Sequence, residues 1–174
     1  NGQLKAKVTF LDGQDEGPAE TYYENGQLHQ KGAWKEGKED GVVISYYENG
    51  QLEDKRSFKD GIMDGPAESY YENGQLKEKG AYKDGFMDGP VEIYLSDGKL
   101  DFRGTYKVGL FHGLIESTYK NSGGKLKAKA TYLDGKLDGP AEFYYESGQL
   151  KEKGDYKNNK RDGVLEFYNE IGQL

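Results

Sequence analysis

Paired aspartates recur in this sequence and are the first residues to consider for metal chemistry. They occur in Asp-Gly-x-x-Asp-Gly segments, at Asp60 and Asp64, Asp84 and Asp88, and Asp134 and Asp138. Calcium takes six to eight oxygen ligands, and these segments lack a bidentate glutamate at a loop-closing position. Because Asp and Gly are also the residues that tight turns select, we interpret the segments as turns and predict no metal site.

Catalytic combinations are missing from the sequence. His29 and His112 are the only histidines, they lie far apart, and there is no cysteine, so zinc has no cluster of ligands. No Gly-x-Ser-x-Gly elbow and no nucleophile beside a base occurs. We therefore predict that the chain is not an enzyme and carries no cofactor.

A column of tyrosines at near-constant spacing provides the main candidate binding residues. Its members are Tyr22, Tyr46, Tyr70, Tyr94, Tyr144 and Tyr168, and Thr118 interrupts it. Such rings pack against the stems of neighbouring lysines, and they also suit a groove for a peptide or a sugar chain. Both roles remain open for this column.

A second candidate site is the divergent segment Val-Gly-Leu-Phe-His-Gly, which contains Phe111 and His112. It replaces the acidic turn found in the other copies. A bend in the array explains the change structurally, and a specific contact site explains it functionally. We predict Phe111 and His112 as additional binding residues.

The elements that position these residues are tandem repeats. The motif Asn-Gly-Gln-Leu begins at Asn1, Asn25, Asn49 and Asn73, and degenerate copies begin at Asp97, Gly123, Ser147 and Ile171. The spacing predicts one repeat array with units at 1–24, 25–48, 49–72, 73–96, 97–122, 123–146 and 147–170, and a stub at 171–174.

Each unit reads as a β-hairpin. Asn-Gly between strand-like runs favours a two-residue type I′ turn, in which both turn residues have positive φ. The second connection, 84–89, contains two glycines and is followed by Pro90, which indicates a longer loop. No segment has helical spacing. The sequence thus predicts an all-β protein, an elongated antiparallel sheet of tandem β-hairpin repeats.

A two-residue turn at 25–26 fixes the strand pairing. It places Glu20 opposite Lys31, and the equivalent charge pairs support this register. These pairs are Glu68 with Lys79, Glu92 with Arg103, and Glu142 with Lys153. The same arithmetic places Tyr22 opposite His29 and Tyr23 opposite Leu28.

This register separates two faces of the sheet. The core face carries Ala19, Tyr23, Leu28, Gly32 and Trp34, and we expect it to be the more buried one. The tyrosine face carries Tyr22, His29, Glu20 and Lys31. We expect an aromatic ring to lie over each strand glycine of the core face.

Composition restricts the partners. The net charge is −7, which argues against nucleic acid and against an anionic membrane surface. Mean hydropathy is −0.98, a value typical of disordered chains, but the repeat concentrates the apolar residues at fixed positions. No targeting segment is present, and the chain is expected to be a fragment or a processed form, so secreted, envelope and cytoplasmic locations stay open.

The stretch from Gly104 to Gly113, followed by Tyr119, resembles the MORN repeat, with its Gly-x-Tyr, spaced glycines and His-Gly pair. The commoner form, Tyr-Lys-Asp-Gly-x-x-Asp-Gly-Pro-x-Glu-x-Tyr-Tyr-Glu-Asn-Gly-Gln-Leu, is similar to the bacterial variant of that repeat, and the resemblance covers all seven units. It implies a single-layer antiparallel array of hairpins that acts as an attachment scaffold for proteins or membranes.

We therefore expect a scaffold that mediates protein–protein interaction through its aromatic-lined face. The alternatives are a carbohydrate or cell-wall binding module, an antitoxin-like protein, as some bacterial relatives are labelled, and a spacer between other domains. Sugar-binding hairpin repeats usually rely on tryptophan, and Trp34 is the only one here. Because the outer units lack a neighbour on one side, we also expect partly exposed Leu4 and Phe10, or Tyr156 and Phe167, with frayed ends or end-to-end self-association.

Overall fold

The computed structural model describes residues 4–120 and 122–174. Within them it contains 19 strands and no helix, and so no helix that could cross a membrane. The chain divides into two compact units, Asn1–Phe86 and Met87–Leu174. Residues 1–3, which begin the first copy of the repeated motif, lie outside the described residues.

The first unit contains β1 (Ala6–Lys7), β2 (Phe10–Leu11), β3 (Gln14–Asp15), β4 (Gly17–Tyr22), β5 (Leu28–Lys35), β6 (Lys38–Glu39), β7 (Gly41–Tyr46), β8 (Leu52–Lys59), β9 (Ile62–Tyr70) and β10 (Leu76–Lys83). The short strand β11 (Phe86–Met87) lies at the boundary. The second unit contains β12 (Gly89–Tyr94), β13 (Leu100–Lys107), β14 (Leu110–Phe111), β15 (Gly113–Thr118), β16 (Leu126–Leu133), β17 (Lys136–Tyr144), β18 (Leu150–Lys157) and β19 (Lys160–Phe167).

The strands form one antiparallel sheet of 17 strands, and β2 and β3 form a separate two-stranded hairpin. The predicted all-β architecture of tandem hairpins is therefore confirmed. The predicted charge pairs are confirmed as well, because Glu20 lies opposite Lys31 and Glu142 lies opposite Lys153.

The pairing predicted nearest the turn is wrong by one residue. Tyr22 lies opposite Leu28, and His29 forms a bulge between two paired positions. Leu28 therefore belongs to the tyrosine face. His29 turns toward the core face, where its Nδ1 is 3.3 Å from Thr21 Oγ1 and its ring centroid is 4.6 Å from that of Tyr23.

The bulge follows from the turn, which is not type I′. Gly26 N donates to Tyr23 O at 2.9 Å, and the loop has three residues. Gly26 has a φ of 86°, whereas Asn25 is not left-handed. This is the type I turn followed by a left-handed glycine, and its third residue displaces the register by one. Asn25 Oδ1 accepts a hydrogen bond from Gln27 N at 2.9 Å, which stabilises the loop.

The second connection is the two-residue turn. Lys59 pairs with Ile62 around Asp60 and Gly61, whose φ angles are 52° and 80°. Positive φ at both turn residues is the type I′ geometry, for which Asp-Gly is a preferred sequence. The expected longer loop at 84–89 is therefore wrong: Asp84 and Gly85 form the same tight turn, with φ angles of 49° and 84°.

The buried apolar residues all lie on the core face, as predicted: Ala19, Val43, Val91, Ile115, Ala130 and Ala141. The aromatic residues of the same face are half-buried beside them: Trp34, Phe58, Tyr82, Tyr106, Tyr132 and Tyr156. The N-terminal residues Leu4 and Phe10 are exposed, as expected for an outer unit.

The strand glycines of the core face make room chiefly for aliphatic side chains. A Cβ atom at Gly32 would lie 2.9 Å from Val43 Cγ2 and 3.1 Å from the Trp34 ring. At Gly154 it would lie 2.7 Å from Leu165 Cγ. The expected ring therefore lies close to Gly32, where it shares the space with Val43. At Gly154 the nearest atoms belong to Leu165 and to the backbone of Val164, so the expectation of a ring over each strand glycine is wrong.

The size of the residue on the neighbouring strand explains why some repeats have a larger residue in place of the core-face glycine. Arg56 lies opposite Ala67, and Ala130 lies opposite Ala141, so a small partner accompanies the larger side chain. Glycine lies opposite a larger residue, as Gly154 does opposite Leu165, and alanine lies opposite Arg56, so at least one position of each pair is small.

Candidate binding faces

The tyrosine face is built from strand pairs that repeat the β4–β5 register. Tyr22 and Glu20 are two residues apart on β4 and point to the same side, and Tyr22 Oη donates to Glu20 Oε2 at 2.6 Å. Four other tyrosines of the column make the same bond. These are Tyr70 to Glu68 at 2.9 Å, Tyr94 to Glu92 at 2.7 Å, Tyr144 to Glu142 at 2.5 Å, and Tyr168 to Glu166.

These hydrogen bonds hold the half-buried rings in a fixed orientation. A bond to an ionised carboxylate is stronger than one between neutral groups, so the ring has little rotational freedom. In Tyr22 the hydrogen bond to Glu20 is the main cause of a raised pKa. In Tyr144 burial comes first, followed by the bond to Glu142, and together they raise the pKa to about 12.

Tyr144 therefore makes stability depend on alkaline pH. Its folded pKa of about 12 is above the ordinary value of 10.0, so the neutral hydroxyl stabilises the fold below pH 10. We expect this contribution to be lost as the pH rises from about 10 to about 12. Urea unfolding of the parent chain and of Tyr144→Phe across this range measures it. The difference in the free energy of unfolding between the two proteins should narrow as the pH rises. A difference that stays constant with pH would contradict the assignment.

Two positions of the column differ from the others, namely Tyr46 and the interrupting Thr118. Two residues before Tyr46 the chain has Ile44 instead of a glutamate. Lys31 Nζ lies 5.8 Å from the centroid of the Tyr46 ring. Thr118 is buried, and its Oγ1 donates to Leu100 O at 2.8 Å. The column is therefore not uniform in its polar partners.

The tyrosine that follows the column residue links successive repeats, a role that sequence reasoning missed. Tyr23 Oη donates to Tyr46 O at 2.7 Å, and Tyr47 Oη donates to Tyr70 O at 2.7 Å. The second unit repeats the bond from Tyr119 to Tyr144 and from Tyr145 to Tyr168. The Tyr-Tyr doublets, which recur at 24-residue spacing, are the sequence feature that could have indicated this linking role.

The side chain of Phe111 packs against other aromatic rings and does not stand free on the surface. It lies opposite Tyr106 on the core face, with their ring centroids 4.8 Å apart. Phe102 and Tyr132 are its other ring neighbours, at 5.6 and 5.4 Å. The structure thus places Phe111 inside an aromatic cluster.

His112 lies in the bulge that follows β14. Its Nδ1 is 3.3 Å from Asp134 Oδ1 in the next tight turn, and its side chain is 35% exposed. His112 and Phe111 are neighbours in the chain, but their side chains contact different partners. Phe111 lies on the core face, so it does not belong to the tyrosine face.

The paired aspartates have structural partners. The second aspartate of each segment accepts a hydrogen bond from a backbone N–H in the next tight turn. Asp64 accepts from Asp84 N at 3.3 Å, Asp88 from Val108 N at 3.1 Å, and Asp138 from Asn158 N at 3.2 Å. In residues 4–120 and 122–174, no three His, Cys, Asp or Glu residues are grouped so that they could hold a metal ion.

The comparisons with known proteins agree with this architecture. The MORN repeat variant model matches residues 15–36, 39–60, 63–84, 87–107 and 137–158, and the MORN repeat model matches residues 153–164. No curated protein matches the chain. MORN repeats generally form scaffolds that bind proteins or membranes, and theirs is not an enzyme family. Because the matches cover more than half of the sequence, this chain belongs to the MORN repeat family.

Proposed function

We propose that this chain is a non-enzymatic scaffold that binds a protein partner through its tyrosine face. The observation that carries the proposal is the repeated Tyr–Glu pair, as in Tyr22 with Glu20 and Tyr144 with Glu142. Rings that are already oriented lose little conformational freedom on binding, which favours affinity. Tyrosine is also among the residues that contribute most to protein interfaces.

The spacing of the rings supports an extended contact. In the first unit Tyr22, Tyr46 and Tyr70 occupy equivalent positions on β4, β7 and β9. Successive positions are two strands apart, or about 10 Å, at the usual strand separation. A partner that lies across these strands would meet several rings at once.

The surroundings of the rings favour a protein partner over a bare apolar ligand. Lys31, Lys55 and Lys79 alternate with glutamates on this face. A mixture of rings and charges of both signs is typical of transient protein interfaces. The charges would fix the orientation of the partner, and the rings would supply most of the binding energy.

The test is a triple substitution in one unit. Tyr22, Tyr46 and Tyr70 are changed to serine, and the partner is captured from the native organism with the parent chain. We expect the triple variant to weaken binding by at least about tenfold, because aromatic anchors dominate interface energies. Isothermal titration calorimetry with the purified partner measures the change.

The matched control is Thr21→Ala, which alters the neighbouring core-face position of the same strand. Circular dichroism of all variants shows whether the fold is kept. Unchanged affinity of a folded triple variant would exclude the tyrosine face and direct attention to the core face.

A further inference from the structure

The two units differ strongly in charge. Residues 1–86 contain 17 acidic and 11 basic residues, a net charge of −6. Residues 87–174 contain 14 acidic and 13 basic residues, a net charge of −1. The acidity of the chain is therefore concentrated in the first unit.

Part of this acidity lies among the aromatic residues of the core face. Glu39 pairs with Trp34, so the two side chains share that face. Asp54 and Glu78 lie opposite Ser69, on the same side of the sheet, on the strands either side of β9. All three carboxylates are half-buried, beside the row formed by Trp34, Phe58 and Tyr82.

A groove opens on this face within the first unit. It has a volume of about 180 Å³, and its walls include Met63, Ala67, Glu78 and Tyr82. The ring and the apolar side chains suit the hydrocarbon stem of a lysine or arginine, and the carboxylate suits its charged head. Arg56 also lines the groove and lies 3.5 Å from Asp54, so it opposes a cation there.

We infer that the core face of the first unit binds a Lys- or Arg-bearing segment of a protein partner. The charge of the unit, the three carboxylates among aromatic rings and the shape of the groove all favour a cationic segment. This face is distinct from the tyrosine face, so the two proposals are independent.

The experiment uses the single tryptophan as its reporter. Trp34 lies on the proposed face, and no other tryptophan contributes to the emission. Hexa-arginine is titrated into the full chain, with hexaglutamate as the peptide of opposite charge. We expect saturable binding of hexa-arginine, at least about tenfold tighter than hexaglutamate and weaker at high salt.

Substitutions locate the binding on the chain. Glu39→Gln with Glu78→Gln should weaken hexa-arginine binding by about tenfold, because both carboxylates face the ligand. Glu24→Gln with Glu72→Gln removes the same charge from two exposed hairpin turns and should change the affinity by less than about twofold. Arg56→Gln should tighten binding by about threefold, because it removes the opposing cation.

Three results would overturn the inference. One is equal affinity for hexa-arginine and hexaglutamate. Another is equal weakening by the two glutamine pairs, which would show attraction by net charge alone. The third is an unchanged affinity for hexa-arginine in Arg56→Gln. This variant remains a test even if the double variant Glu39→Gln with Glu78→Gln does not fold. The tyrosine-face triple variant should bind hexa-arginine like the parent, so failure of one proposal is distinguishable from failure of the other.

Discussion

Replacing Gly32 with alanine should lower the free energy of unfolding by about 1 to 3 kcal/mol, the usual range for overpacking a core. The new Cβ would lie 2.9 Å from Val43 Cγ2, a contact that something must relieve. Val43 is β-branched and 2% exposed, so it has little freedom to move aside. Urea unfolding followed by circular dichroism measures the change.

The double variant Gly32→Ala with Val43→Ala separates overpacking from other effects. Alanine at both positions reproduces the pair Ala130 and Ala141, which face each other in the second unit. We expect the double variant to be no less stable than Val43→Ala alone, which is a coupling energy of at least about 1 kcal/mol because the cost of Gly32→Ala disappears. Additive losses would show that volume does not link the two positions.

Changing Tyr47 to serine should cost about 2 to 4 kcal/mol, because it removes a large half-buried ring and a hydrogen bond. The lost bond is the one from Tyr47 Oη to Tyr70 O, which joins one repeat to the next. Tyr47→Phe keeps the ring and should cost about 1 kcal/mol. Thermal unfolding of the three proteins measures both parts.

The neighbouring residue provides the matched control. Tyr46 lies on the tyrosine face, where its ring is approached by Lys31 Nζ at 5.8 Å. Tyr46→Ser should cost less than about 1 kcal/mol, because that contact is a partly exposed cation–π pair. Equal losses at Tyr46 and Tyr47 would mean that both tyrosines serve the fold and would weaken the case for a binding face.

The sequence by itself determined the repeat, the hairpins and the register of the strand pairs away from the Asn-Gly turns. Opposite charges at Glu20 and Lys31 indicate their pairing, and period-two alternation assigns Ala19 and Trp34 to the buried side. These features are local, since they depend on residues within one hairpin. Local propensity and patterning are therefore enough to predict them.

Only the tertiary structure decided the geometry of the Asn-Gly turn and the packing that depends on the next repeat. The turn at Asn25 has three residues because its amide and its glycine favour that loop, and the resulting bulge exchanges the faces of Leu28 and His29. A register shift of one residue moves a side chain to the opposite face of the sheet. A small change in turn geometry therefore has a large effect on which side chains each face carries. The space at Gly32 likewise depends on Val43, which belongs to the following strand. Packing between repeats is non-local, and the pattern within one repeat does not contain it.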